Sequence, residues 1–354
     1  MHCFRKTIAP IKPLLAAMVM LPVLIAAFSP AQEKPKVRLP FGPWRRASET
    51  PILSPQGTGW EAAGTFNPAV IHVPAMREYF PDTPHKSYPA KTVLLYRAQD
   101  ANGTSRIGYA ESVDGIHFRR RAEPVLSPEA DYEKDGGVED PRLQQFGDTF
   151  YLTYTGYNKK DAQLCLATSR DLMHWERKGV ILPAYKGKWS VGWTKSGAIV
   201  PEKIGGKYWM YWLGTAADKT DQMGVSSSDD LLHWTEETKT PVLPRRPGKF
   251  DARVVEPGPP PILTRDGIVL IYNGADDKLA YRTGVAVFDR NDPRKLLWRS
   301  EEPVFAPEKE WEKVGQVPNV VFVEGLVRRA GKFLFYYGAA DKFVGVAEAE
   351  DLEK

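Results

Sequence analysis

Cysteine is nearly absent: the 354 residues hold two, Cys3 and Cys165. They cannot build a disulfide framework, and six histidines at no close ligand spacing give no reason to expect zinc or any other metal. Long helical patterns are lacking as well. No amphipathic stretch of ten or more residues stands out, which excludes a parallel α/β fold. There is no serine nucleophile elbow, P-loop or dinucleotide fingerprint, and no cofactor is expected. Charge of one sign is missing too. The formal net charge of +4 lies mostly in residues 1–31, which carry Arg5, Lys6 and Lys12 and no acid, leaving 45 bases against 44 acids. A balanced chain gives no electrostatic reason to expect nucleic acid or a membrane surface as partner.

What is present begins with an address. The three bases precede an apolar run, Leu14 to Phe28, and then Ser29-Pro30-Ala31, small residues suited to cleavage after Ala31. Residues 1–31 read as a signal peptide, too short for a comfortable membrane span, so the protein is expected to be exported, periplasmic or extracellular. Residues 32–354 read as one domain, with oligomeric state left open.

With 29 glycines and 30 prolines the remainder is rich in turns. One small-residue strand recurs: Ile107-Gly108-Tyr109-Ala110, Leu164-Cys165-Leu166-Ala167, Met223-Gly224-Val225-Ser226, Thr283-Gly284-Val285-Ala286 and Val344-Gly345-Val346-Ala347. Their starts lie 57, 59, 60 and 61 residues apart. Before each comes an aromatic alternating run (Val93–Arg97, Phe150–Tyr154, Tyr208–Trp212, Val269–Tyr272, Phe333–Tyr337), and before that a third run (Asn67–His72, Glu139–Gln145, Gly197–Lys203, Pro259–Thr264, Val317–Val323). A fourth element follows units one to four. Pro51-Ile52-Leu53 matches Pro124-Val125-Leu126, so an N-terminal strand is expected to complete the fifth unit. Five four-stranded repeats predict an all-β, five-bladed propeller whose ring this strand closes. His117, His174 and His233, like Trp175, Trp234 and Trp298, recur with the repeat and read as structural.

Blade by blade, the polar groups expected at one mouth are Asn67, Arg97 and Arg106; Glu139, Asp140 and Arg142; Trp193, Lys195 and Ser196; Glu256 and Asn273; and Asn319, Glu324 and Asp341. Charges inside apolar strands must be paired or functional, and for Glu139 a structural ion pair is an even alternative. Carboxyls, arginines and aromatics around one mouth suit the gripping of an oligosaccharide and cleavage of a glycosidic bond.

The stretches Phe66-Asn67-Pro68-Ala69, Leu95-Tyr96-Arg97-Ala98, Ser105-Arg106-Ile107-Gly108, Val138-Glu139-Asp140-Pro141-Arg142, Val317-Pro318-Asn319-Val320 and Tyr337-Gly338-Ala339-Ala340-Asp341 resemble glycoside hydrolase family 130. That resemblance implies a five-bladed propeller acting on β-mannosides with inversion, most members being phosphorylases and a smaller group hydrolases. It implies Asp140 as proton donor, acting through a sugar hydroxyl, and Asn67, Arg97, Arg106 and Asp341 as holders of the mannosyl unit. Arg142, Lys195, Asn273 and Asn319 complete the expected substrate set.

Three positions bear on phosphate. Where the phosphorylases carry Arg, Arg and His, this chain has Gln163, Leu213 and Asn273. Glu256 and Glu324 stand where uncharged residues are expected and, as carboxylates, would repel phosphate and could deprotonate water. The expectation is therefore an exported, inverting, exo-acting hydrolase of β-1,2-mannosides, with Asp140 as acid and Glu256 or Glu324 as base. Export agrees, since a sugar phosphate made outside a cell is wasted. The alternatives are a phosphorylase using Lys195 to release mannose 1-phosphate, and a carbohydrate-binding propeller without turnover.

Overall fold

The computed structural model describes residues 37–78 and 86–353; the expected leader at 1–31 and residues 79–85 lie outside it. Among the described residues the architecture is all-β, with one four-residue helix, Glu310–Lys313, and a short 3-10 turn at Asp131–Glu133. The strands fall into five antiparallel units joined by consecutive hairpins. Unit one runs Gly64–Val73, Lys91–Gln99, Ser105–Ser112 and Arg119–Arg120, and unit two Gly137–Phe146, Thr149–Tyr157, Ala162–Ser169 and Glu176–Leu182. Unit three is Ser190–Ile199, Tyr208–Ala216, Asp221–Ser228 and Thr235–Glu236. Unit four comprises Val254–Pro257 with Ile262–Leu263, then Ile268–Ala275, Tyr281–Phe288 and Leu296–Arg299. Unit five is Val321–Arg329, Lys332–Ala339 and Phe343–Glu350. Its fourth strand is N-terminal: Arg45–Arg46 pairs antiparallel with Phe343–Glu350, placing Arg45 opposite Glu348. The Leu53–Val344 bridge repeats Leu126–Ile107, Leu243–Met223 and Phe305–Thr283.

First strands depart from the expected runs where proline or backbone shape intervenes. In unit four Pro259, Pro260 and Pro261 cannot donate to a ladder, so the strand breaks after Pro257 and resumes at Ile262. In unit five the strand begins at Val321 rather than Val317, because Pro318 is followed by Asn319 at φ 60. The expected Gly197–Lys203 run shifts back to Ser190–Ile199, ending before Pro201.

A buried brace, unforeseen in the sequence, recurs in four units. A second-strand tyrosine donates its hydroxyl to an acid in the loop before the first strand, and a fourth-strand arginine reaches the same acid. The sets are Tyr96, Glu61 and Arg120; Tyr154, Glu133 and Arg177; Tyr272, Asp251 and Arg299; Tyr337, Glu312 and Arg46. In three of them the residue before the acid stacks on the tyrosine: Trp60 on Tyr96, Phe250 on Tyr272 and Trp311 on Tyr337. The brace explains the recurring glycine of the third strand. A Cβ at Gly108 would lie 2.4 Å from the Tyr96 ring, and one at Gly345 2.3 Å from Tyr337. Unit three keeps the aromatic pair, Trp189 stacked on Trp212 at 5.5 Å, but has Ser190 where the acid would be.

The three motif histidines are surface turn elements, each Nδ1 lying 2.7 Å from the aspartate of its own turn (Asp114, Asp171, Asp230). Trp175 and Trp234 cap those turns through Nε1 and pack half-buried on the core.

Candidate active site

The first strands of units one, two, three and five share a defect. The pairing register slips between Phe66 and Pro68, Glu139 and Arg142, Lys195 and Ala198, and Val323 and Gly325. Each slip is a bulge that turns an extra residue off the pleat. The residues so presented are Asn67, Asp140, Ser196 and Glu324. The first three sit at φ 47, 51 and 58, a region that costs non-glycine residues about 1–3 kcal/mol and persists where surroundings enforce it.

These bulges meet. Asp140 Oδ1 accepts from Asn67 Nδ2 at 2.8 Å and from Arg97 Nη1 at 2.9 Å, while Arg97 Nη2 reaches Glu139 at 2.5 Å. Asn67 can approach only because Gly338 of unit five lacks a Cβ, which would lie 2.0 Å from Asn67 Oδ1. Ser196 donates its hydroxyl to Glu256, and Arg142 donates to the carbonyls of Pro257 at 2.8 Å, Gly258 at 3.1 Å and Asp140 at 3.0 Å. Arg142 Nη1 also stands 2.9 Å from Glu324 Oε1, out of hydrogen-bond alignment, so both Glu324 oxygens lack a hydrogen bond.

The five acids beside Arg97 and Arg142 divide by charge state, and burial raises Glu139 although Arg97 pulls against it. Burial would raise the Asp140 carboxyl, but Arg97, Lys195 and the Asn67 bond outweigh it and hold it below the ordinary value. Burial dominates elsewhere. It pushes Asp341 up to about 6 against the pull of Arg97, and Glu256 up to about 7 against Arg142, the Ser196 bond and Lys195. Glu324, wholly enclosed, is driven well above the carboxyl range by burial. The Lys195 ammonium makes no ion pair among the described residues and lies 5.2 Å over the Trp193 ring. Burial opposes its charge, but Glu139, Asp140 and Glu256 sustain it. At neutral pH the centre thus holds an ionised Asp140, a largely ionised Asp341, one unengaged cation and two glutamic acids kept wholly or partly neutral.

A folding consequence can be measured. An acid raised in the folded state stabilises the fold fully below its unfolded value near 4.5, and that contribution is lost as pH climbs to about 7. Relative to Glu256→Gln, the wild type should lose on the order of 3 kcal/mol across that interval. Melting curves of both proteins at a series of pH values check this; a pH-independent gap would mean Glu256 is ionised throughout.

Several expected residues are placed differently. Asn273 is buried, and its amide is spent on one peptide: Nδ2 donates to Val323 O at 3.0 Å and Oδ1 accepts from Val323 N at 2.9 Å. It clasps the backbone beside Glu324 instead of facing a ligand. Arg142 is likewise occupied by protein carbonyls. Arg106 staples its own hairpin through Asp100 at 2.8 Å, as Arg282 does through Asp276 in unit four. Asn319 is exposed, and its carbonyl accepts from Tyr281 N at 2.9 Å. Two residues near the centre, Asp221 and Tyr281, escaped sequence reasoning. Both stand three places before a recurring glycine, the position of Ser105 in unit one, and that shared offset was the available signal.

A family model described as β-1,4-mannooligosaccharide phosphorylase matches residues 44–353. The chain is 37% identical over 317 residues to a 1,2-β-oligomannan phosphorylase of Thermoanaerobacter, covering 86% of this chain and 97% of that one. Among solved structures it resembles a β-1,2-mannobiose phosphorylase from Listeria innocua in complex with β-1,2-mannobiose, with a TM-score of 0.74, 25% identity and coverage of 88% and 97%. Another, at TM-score 0.74, 35% identity and coverage of 87% and 94%, comes from work on hydrolases within the mannoside phosphorylase family that target β-1,2 linkages in Candida mannan. The named curated relatives, 25–37% identical, are all phosphorylases, and they overturn the expectation of a hydrolase. The physical error lay in the charges. Glu256 and Glu324 were read as two full carboxylates that repel phosphate, whereas burial holds Glu324 neutral and raises Glu256 to about 7, where it is only half ionised at neutral pH, so the repulsion is weakened. The argument from export to water as nucleophile falls with it.

Proposed function

The chain belongs to glycoside hydrolase family 130, and from that premise we propose that it is a β-mannoside phosphorylase, cleaving β-1,2-linked mannosides with inorganic phosphate to give mannose 1-phosphate. The fold that serves it is a five-bladed propeller closed by the N-terminal strand. Contacts between successive units support closure: Ser105 with Gly137, Leu164 with Thr194, Asp221 with Val254, Tyr281 with Val320, and Thr65 with Lys342 back to the start.

The mannosyl unit lies against Asn67, Arg97 and Asp341. A phosphate oxygen attacks the anomeric carbon from the face opposite the leaving group, the glycosidic C–O bond breaks, and its electron pair stays on the leaving oxygen. That oxygen takes the proton of a mannosyl hydroxyl lying against Asp140, and the proton carried in by HPO4²⁻ is accepted by the Asp140 carboxylate and passed on to that hydroxyl oxygen, so the enzyme ends unchanged. The observation that carries this reading is the Lys195 ammonium, without an ion pair among the described residues and close to Glu256, which burial keeps partly neutral. Lys195 pairs in register with Leu213, so a cation stands one strand away from a position where the family resemblance places arginine.

Incubation with β-1,2-, β-1,3- and β-1,4-mannobiose, with and without phosphate, tests the proposal. Mannose 1-phosphate should form from the β-1,2 substrate only when phosphate is present. Release of two mannose molecules at the same rate without phosphate would overturn it. Export through residues 1–31 is a separate proposal, checked by N-terminal sequencing of protein recovered outside the cytoplasm.

A further inference from the structure

Most large buried tyrosines here spend their hydroxyl on the protein. Tyr96, Tyr154, Tyr272 and Tyr337 donate to the brace acids, Tyr211 to Pro293 O and Tyr336 to Gly115 O. Tyr281 differs. Among the described residues its hydroxyl has no hydrogen-bond partner, although its ring is firmly seated. The ring packs on Leu213, Val254 and Ala275 and meets Phe322 edge-on at 5.7 Å and 61°. Its backbone is fixed at the seam of units four and five by the bond from Tyr281 N to Asn319 O and the bridge to Val320.

Those neighbours define where the phenol stands. Leu213 lies across the strand pair from Lys195, Val254 leads two residues on to Glu256, and Phe322 two residues on to Glu324. The ring therefore stands against the strands that carry Lys195, Glu256 and Glu324, within electrostatic reach of Glu256 and Asp341. We infer that the Tyr281 hydroxyl and the Lys195 ammonium together hold the phosphate that attacks the mannoside, the phenol as a neutral donor and the ammonium as the charge. This rests on the phosphorylase reading above. Burial raises Tyr281 well above the ordinary phenol value, with Glu256 and Asp341 adding to the effect, so it serves as a donor throughout the working pH range. Asp221 and Asp140 also face this phenol, and Asp140, which is ionised, is itself countered by Arg97.

The test is steady-state phosphorolysis of β-1,2-mannobiose by wild type, Tyr281→Phe and Lys195→Met, varying inorganic phosphate and disaccharide separately. Phe preserves the packing on Leu213 and Phe322, and melting temperatures confirm that each variant is folded. Tyr281→Phe should raise KM for phosphate about tenfold, the weight of one lost hydrogen bond to a charged group, and leave KM for mannobiose within about twofold. In the reverse direction KM for mannose 1-phosphate should rise in parallel while KM for acceptor mannose stays put. Lys195→Met should raise KM for phosphate further. If phosphate KM is unaltered in Tyr281→Phe while the wild type is phosphate-dependent, this inference fails and the phosphorylase reading stands. If the wild type itself turns over without phosphate, both fail.

Discussion

Asp140→Asn should lower kcat/KM for phosphorolysis of β-1,2-mannobiose by roughly 10³-fold, within the span that loss of a positioned acid–base group typically costs. The fold should survive. Asn is among the side chains most tolerant of a left-handed backbone, so φ 51 at this bulge is not newly strained, and Oδ1 still accepts from Arg97. Asp140→Ala lacks both features and serves as the less clean comparison. What Asn removes is the ionised carboxyl that Arg97, Lys195 and Asn67 hold in place, and with it the route for the proton to the leaving oxygen. The measurement is an initial-rate series at saturating phosphate, with melting temperature recorded alongside. Activity within tenfold of wild type would take Asp140 out of the chemistry.

The largest stability effect should come from Glu312→Ala, which removes the acid of the brace in unit five. Glu312 is fully buried, accepts from Tyr337 at 2.8 Å and Arg46 at 2.6 Å, and caps the backbone N–H groups of Glu308 and Lys309. Arg46 is left nearly buried with only Glu308 to pair, at 2.6 Å. Breaking a buried pair from one side typically costs about 3–5 kcal/mol, because the remaining charge has lost its compensation. Chemical denaturation of the two proteins reads this directly. A change under about 1 kcal/mol would mean the brace is incidental to the packing.

The repeat was legible because its elements obey local rules. Alternation marks the second strands, small residues the third, and the match of Pro51-Ile52-Leu53 to Pro124-Val125-Leu126 placed the N-terminal segment correctly on unit five. Asn67, Arg97, Asp140, Lys195, Glu256 and Glu324 were legible as a converging set because charge inside an apolar strand demands a partner. Their protonation was not. Whether Glu256 is a carboxylate or a neutral acid depends on enclosure by four units and on Arg142, which arrives from over a hundred residues away. That unknown, together with Gln163, Leu213 and Asn273 at positions where the resemblance places cationic residues, turned the reading from phosphate to water. Asn273 and Arg106 were misplaced for a related reason: a polar residue in a strand looks the same whether it serves a ligand, a neighbouring peptide or its own turn. The brace acids were visible as an aromatic–acid pair at Trp60-Glu61, Tyr132-Glu133, Phe250-Asp251 and Trp311-Glu312, but they lie in the connections before the first strands, in loops or single helical turns too short for any periodicity to draw attention to them.

Arg45 and Glu348 stand 303 residues apart in the chain and side by side in the sheet. During synthesis the first strand to leave the ribosome therefore has no mate until almost the last residues emerge. Every earlier unit can form its own hairpins as it appears, yet the final sheet waits for both termini, so assembly ends in one late, long-range step.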